Sequence, residues 1–260
     1  MAGTPDLRTE RIGSLTWTLR ADQPPSWWRA VLADPEARLR DPTRHFKNSR
    51  NVTLARIPAP DYGEPALVLR RLNYGRWRHR FCDTFRPSRA RRAFHSALAL
   101  EAAGLPVARV LGVAELRRGR WPVHAYLLSH EIPHTETLAQ RARQPSPWPR
   151  PLIIALADLL ACLHTAGFMH GDLKASNVLI ATDGQPWLID FDGVRRFIRV
   201  PRTRAVTDLS RLMTGILEAG GRDLPLTAAR FLQHYCAARE LNDWRAWCRE
   251  VERRCRAGRR

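Results

Sequence analysis

Residues 170–193 constrain this chain more than any other stretch. His170-Gly171-Asp172-Leu173-Lys174-Ala175-Ser176-Asn177 leads into an apolar run, Val178-Leu179-Ile180. Asp183-Gly184 follows, and a second apolar run, Trp187-Leu188-Ile189, is closed by Asp190-Phe191-Asp192-Gly193. Two short β-rich runs joined through Asp-Gly predict an antiparallel hairpin. In such a hairpin the start of one strand lies beside the end of the other. Asp172 and Asn177, just before the first strand, therefore converge with Asp190, just after the second. Two carboxylates and an amide oxygen suit magnesium, which takes oxygen ligands and leaves its other positions to phosphate and water. Singly, each of these residues is ordinary in a solvated loop; their joint order is what carries information.

His170 to Asn177 resembles the catalytic loop of the protein-kinase superfamily, with Gly171 where an arginine is usual, and Ile189 to Gly193 resembles its metal-binding loop. HGDLKASNVLI followed by PWLIDFDGVRR, with LRRLN and RPSRARR upstream, is closest in style to the lipopolysaccharide kinase family, which includes Kdo and heptose kinases of the inner core. The resemblance spans about residues 45 to 215. It implies an α+β, two-lobed protein-kinase-like fold, with a small β-rich N-lobe and a larger, mainly helical C-lobe. It also implies roles: Asp172 accepts the proton of the attacking hydroxyl, Lys174 neutralises the transferring phosphoryl group, and Asn177 and Asp190 hold Mg2+ against the phosphates of ATP. Positioned charge is most of what phosphoryl transfer asks of a protein. His170 would hold the catalytic loop, and Asp208 would brace it from the helix that follows. A plain helix-terminal acid is the other reading of Asp208. Of 43 basic residues only Lys47 and Lys174 are lysines, so a chain that otherwise uses arginine places a compact ammonium at the phosphate position.

The first half departs from the kinase pattern. No GxGxxG precedes residue 60. His45-Phe46-Lys47-Asn48-Ser49-Arg50-Asn51 is the expected substitute over the phosphates. Val52–Ile57 and Ala66–Leu72 read as strands. Alignment of LVLRRLN with the family's lysine-bearing strand puts Arg70 in that place. The expected glutamate partner is missing from the next helix, Ser88 to about Ala103, and Glu101 lies near its far end. Two readings stand: Arg70, or Lys47 from the preceding strand, contacts nucleotide phosphate without that partner, or nucleotide binding is weakened. Backbone groups of Glu131 and Ile132, at the end of a strand broken by Pro133, are the candidates for the adenine ring.

The formal charge is +18 and the pI about 11.3, which favours anionic partners: phosphorylated saccharide or glycolipid, or an anionic membrane surface. Between Arg70 and Arg92 there are nine arginines and one acid, interleaved with Trp77, His79, Phe81 and Phe85. Arg195, Arg196, Arg199, Arg202 and Arg204 follow the metal-binding loop. A solvated basic face is the bland alternative for both stretches. No RNA-binding motif accompanies them, which ranks nucleic acid last. Five cysteines without a CxxC pair suit a reduced compartment. No signal core opens the chain, and the longest apolar run, Leu152–Leu163, is too short to span a bilayer. The expected location is cytoplasmic, peripheral to the inner membrane.

The expected organisation is an N-terminal extension over 1–45 carrying one helix from Ser26 to about Leu39, an N-lobe over 46–128 and a C-lobe over 129–260. A helix from Pro151 to Gly167 buries Leu152, Leu156, Leu159, Leu160 and Leu163, two helices lie within 224–257, and an arginine-rich tail frays beyond Arg253. The leading function is ATP- and Mg-dependent phosphorylation of a sugar hydroxyl of the lipopolysaccharide inner core. The alternatives are an atypical protein or small-molecule kinase, and a non-catalytic kinase-like binding module.

Overall fold

A computed structural model describes residues 5–22, 26–40, 45–48, 52–59, 65–74, 87–119, 121–220 and 224–258. The chain divides into two compact units, one of residues 1–102 with 108–131, the other of 103–107 with 132–260.

The first unit is built on a seven-stranded antiparallel sheet: β1 (Leu7–Ile12), β2 (Leu15–Arg20), β3 (His45–Asn48), β4 (Val52–Ile57), β5 (Leu67–Asn73), β6 (Val110–Arg118) and β7 (Trp121–His130), in the order β1-β2-β6-β7-β5-β4-β3. The first two strands correct the expectation of a separate extension. Leu15, Trp17 and Leu19 alternate with Thr16 and Thr18, all three apolar residues are buried, and β2 pairs with β6. This period-two pattern is the signature of a half-buried strand. The single helix expected from Ser26 is two, α1 (Ser26–Ala33) and α2 (Pro35–Leu39), because Pro35 pushes Asp34 out of the helical region to φ −139°. Asp34 then caps α2 by accepting from the Ala37 N–H at 3.0 Å.

Trp28, Val31 and Leu32 of α1 pack with Trp17, Leu19, Ala55, Leu69, Tyr126 and Leu128 into one buried cluster against the sheet. Trp17 Nε1 donates to Leu32 O at 3.2 Å, so the indole packs without losing its hydrogen bond. Helix α3 (Arg89–Ala102) buries Ala93, Phe94, Ala97, Leu98 and Leu100.

In the second unit β8 (His134–Thr137) leads into α4 (Leu138–Arg143) through a capping box between Thr137 and Gln140. Helix α5 (Arg150–Thr165) buries the five leucines named above and ends before Gly167, which takes φ +85°. Then come β9 (Phe168–Met169), β10 (Val178–Ala181), β11 (Pro186–Leu188) and β12 (Arg195–Arg196), followed by α6 (Arg202–Glu218), α7 (Leu224–Ala238) and α8 (Trp244–Ala257). Strands β11, β10 and β8 form a three-stranded sheet, and β12 pairs with β9. Helix α8 runs on to Ala257 instead of fraying at Arg253. Cys255 is its anchor: it is buried, and its Sγ lies 3.4 Å from Ser210 O.

Candidate active site

The predicted hairpin forms, with Val178 opposite Leu188 and Leu179 opposite Trp187. Beyond the ladder the Ile189 N–H donates to Asn177 O at 3.0 Å. The register therefore sets Asn177 beside Ile189, one residue from Asp190. Asp190 adopts a left-handed backbone, φ 70° and ψ 73°, uncommon outside glycine and tolerated best by Asp and Asn. Held strain of this kind concentrates where a side chain must be aimed.

Asp172 lies before the hairpin in a half-exposed position, with Lys174 Nζ donating to its Oδ2 at 3.0 Å. Asn177 is buried, and its amide Nδ2 donates to the backbone oxygen of Asp172 at 2.9 Å. That bond locks the turn and fixes the amide orientation, leaving Oδ1 as the free acceptor of the side chain. Asp172, Lys174 and Asn177 are thus one constellation. A second cation, unforeseen from the sequence, also faces Asp172: Arg211 Nη1 of α6 is 3.8 Å from its Oδ1. The signal available was spacing, since Arg211 sits three residues after Asp208, on the same helix face.

The loop is braced from below. Asp208 is fully buried, and its two oxygens accept the backbone N–H of His170 at 2.6 Å and of Gly171 at 3.0 Å. The helix-terminal alternative is excluded, because Asp208 lies inside α6 and its carboxylate is spent on the loop. His170 Nε2 lies 3.1 Å from Ile189 O, which as a carbonyl can only accept, so the ring carries its proton there. This bond ties the 170–177 loop to Ile189, just after β11. Behind Asp208 runs a buried chain: Arg239 Nη1 donates to Tyr235 Oη, Tyr235 Oη is 2.7 Å from His164 Nδ1, and His164 Nε2 is 3.4 Å from Asp208 Oδ2. Burial lowers the pKa of both His164 and His170 below the usual histidine value; the neighbouring Asp208 opposes the shift without reversing it. Burial also raises the Tyr235 pKa, keeping its hydroxyl protonated as a donor.

Gly171 has a steric reason for replacing the usual arginine. It takes φ +80°, and a Cβ there would lie 2.3 Å from Gly193 O. The 170–177 loop and the 189–193 loop touch backbone to backbone at this point.

The remaining predicted residues lie in the sheet unit or at its edge. Arg70 is half-buried on β5, opposite Leu54 and Leu127. Lys47 is on β3; its side chain, like Ser49 and most of the arginine-rich stretch 75–86, falls outside the described residues. Glu101, the only acid on α3, is engaged: Arg20 Nη1 donates to it at 2.5 Å. Glu131 departs from its expected part. Its N–H already donates to Ala66 O at 2.7 Å and its carboxylate accepts from Arg56 at 2.8 Å, so only its carbonyl is left for an adenine ring. Ile132 is buried, and Pro133 after it has no N–H to offer.

The chain is 37% identical over 121 residues to a 3-deoxy-D-manno-octulosonic acid kinase of Xanthomonas axonopodis pv. citri, covering 45% of each chain. It is 35% identical over 132 residues to the enzyme of that name in Stenotrophomonas maltophilia, covering 49% of this chain and 50% of the other. The matched stretch thus spans about half the length of these relatives. A solved structure, WaaP in complex with acyl carrier protein, superposes with a TM-score of 0.62 at 19% identity, covering 93% of this chain and 98% of that one. This likeness establishes a two-lobed kinase-like fold. The family model for the lipopolysaccharide kinase (Kdo/WaaP) family matches residues 68–235, well over half of the chain, and the chain belongs to that family.

Proposed function

We propose that this protein transfers the γ-phosphoryl group of ATP to a hydroxyl of a lipopolysaccharide inner-core sugar, with a 3-deoxy-D-manno-octulosonic acid residue as the favoured acceptor. The observation that carries the proposal is the Asp172, Lys174 and Asn177 constellation, locked by side-chain hydrogen bonds on a loop that a buried carboxylate braces. The names of the relatives supply the acceptor class.

Asp172 accepts the proton of the attacking hydroxyl. Its half-exposed carboxylate is reachable, and the flanking Lys174 and Arg211 keep it aimed. Lys174 moves from Asp172 to the phosphoryl oxygens as charge gathers there, and Arg211 holds an anionic substituent of the acceptor. Asn177 Oδ1 and the Asp190 carboxylate fit Mg2+: one amide and one carboxylate oxygen at the mouth of one hairpin, too few to hold a bare ion and suited to one that arrives with nucleotide phosphate. Bound there, Mg2+ would supply charge neutralisation on the phosphates. Arg70, or Lys47, is the proposed cation for nucleotide phosphate, and the Glu131 carbonyl the proposed contact for the base. The protein works at the cytoplasmic face of the inner membrane. Among the described residues, no helix is long and apolar enough to cross a membrane.

The test is incubation of the purified protein with labelled ATP and core glycolipid, beside Asp172→Ala. Label in the glycolipid that depends on Asp172 is the expected result. Equal label from both proteins, or none from either, overturns the proposal. The binding-module alternative draws on the engagement of Glu101 by Arg20. It predicts no magnesium-dependent thermal shift with ATP, whereas a kinase must show one.

A further inference from the structure

Among the described residues of the helical unit, Ile198 is the one exposed large apolar side chain, and it stands wholly in solvent, at 107% of its reference area. It is not a frayed residue. On one side Arg195 and Arg196 pair with Met169 and Phe168, and the Phe197 N–H donates to Gly167 O at 2.7 Å. The approach there is so close that a Cβ on Gly167 would lie 2.3 Å from Phe197 O. On the other side Val200 is 3% exposed, and α6 begins two residues later. The backbone is anchored at both ends, and it holds the isoleucine out.

The surroundings are cationic. From Gly193 to Thr207 there are five arginines and no acid. Arg202 is tied to Glu250 at 2.8 Å and lies over the Trp247 ring. Arg195, Arg196, Arg199 and Arg204 are exposed. A single exposed aliphatic side chain flanked along the chain by exposed arginines matches the boundary of an anionic bilayer, where apolar groups enter the acyl region and arginines meet lipid phosphates. A nucleic acid would call for exposed aromatic rings to stack on, and Phe197 is half-buried.

We propose that residues 195–204 are the surface on which this protein sits on an anionic membrane, with Ile198 entering the acyl boundary and Arg195, Arg196, Arg199 and Arg204 contacting lipid phosphates. The inference deepens the glycolipid reading above by naming the face turned to the membrane, but vesicle binding is measured without acceptor chemistry.

The experiment is co-sedimentation of the full chain with phosphatidylcholine vesicles, with and without roughly one third phosphatidylglycerol. The parent protein is expected on anionic vesicles only. Ile198→Asp is expected to weaken that binding on the order of tenfold. Arg195→Gln and Arg199→Gln are each expected to weaken it about fivefold, additively, with a steeper loss at higher salt. Ile198→Ser is the milder companion should the aspartate disturb folding. Parental binding by both Ile198 variants, or by the double arginine variant, overturns the proposal. So does loss of polyglutamate binding on Ile198 substitution with vesicle binding intact, which would assign the surface to an acidic protein. Phosphorylation of a delipidated, water-soluble core saccharide should stay at the parental level in every variant. If the parent phosphorylates no saccharide, the enzymatic reading fails while the vesicle result still decides this one.

Discussion

The helical unit and the sheet unit position their charges in opposite ways. In the helical unit the candidate site residues lie between Asp172 and Asp190, and bonds to the backbone hold them: Asn177 to the Asp172 carbonyl, His170 to the Ile189 carbonyl, Gly171 against Gly193. In the sheet unit the charges come from distant points and are held by one another: Arg20 with Glu101, Arg71 with Glu36, Arg56 with Glu131. Backbone-held groups admit few substitutes, because each position also satisfies a turn. Ion pairs between side chains on a sheet can be exchanged without altering a strand. The difference explains why one unit keeps its motif in all but Gly171 while the other departs from the glycine-rich loop, the strand lysine and the helix glutamate.

Substitutions can break or sharpen this contrast. The largest effect is expected of Asp172→Asn, a fall in kcat of about 10^3-fold with an unchanged melting temperature, since the backbone oxygen that holds Asn177 is untouched. Lys174→Ala should cost on the order of 10^2-fold in kcat, also with little change in stability, because the ammonium is exposed. Gly171→Ala should act on both, with at least about 2 kcal/mol of destabilisation from the strained φ and the Gly193 oxygen, read by chemical denaturation. A stable, active Gly171→Ala protein would break the claim that the two loops meet backbone to backbone. On the other side of the comparison, Glu101→Gln should leave kcat and the KM for ATP unchanged and cost about 1 kcal/mol of stability, since Arg20 keeps Asp22 at 3.1 Å. Loss of activity in Glu101→Gln would give that residue a part in nucleotide binding after all.

The smallest effect is on pH. His164 and His170 are depressed in the folded state, so the unfolded chain binds their protons first as pH falls below the ordinary histidine value of about 6.5. Stability is therefore full above that pH and is lost below it, at no more than about 1.4 kcal/mol per pH unit for each histidine. Denaturation midpoints between neutral and mildly acidic pH should show the slope, and His164→Gln should reduce it.

Local signals made the helical unit legible. The Asp-Gly turn, the two apolar runs and the leucine stripe of α5 are settled within a few residues and give the hairpin and the helix, whereas the Asp172, Lys174 and Asn177 grouping and the Asp208 brace are expected from the family resemblance. What was not legible depended on partners far along the chain. The Leu15, Trp17, Leu19 alternation is visible in the sequence, but its membership of the main sheet requires pairing with Ala114, Val113 and Gly112 nearly a hundred residues away. Pro35 should have split the first helix on local grounds alone. The Glu131 N–H is taken by Ala66 through a strand pairing that no motif announces. Arg211 becomes legible only through Asp208, three residues before it on the same helix face, since no motif marks the arginine itself.

The match to the family model begins at residue 68, yet Trp17, Leu19, Trp28, Val31 and Leu32 complete the packing over one face of the sheet. A fragment trimmed to the recognisable region would lay Leu69, Tyr126 and Leu128 open to water. Poor yield or clumping of such a fragment would report a missing roof, not a dead enzyme.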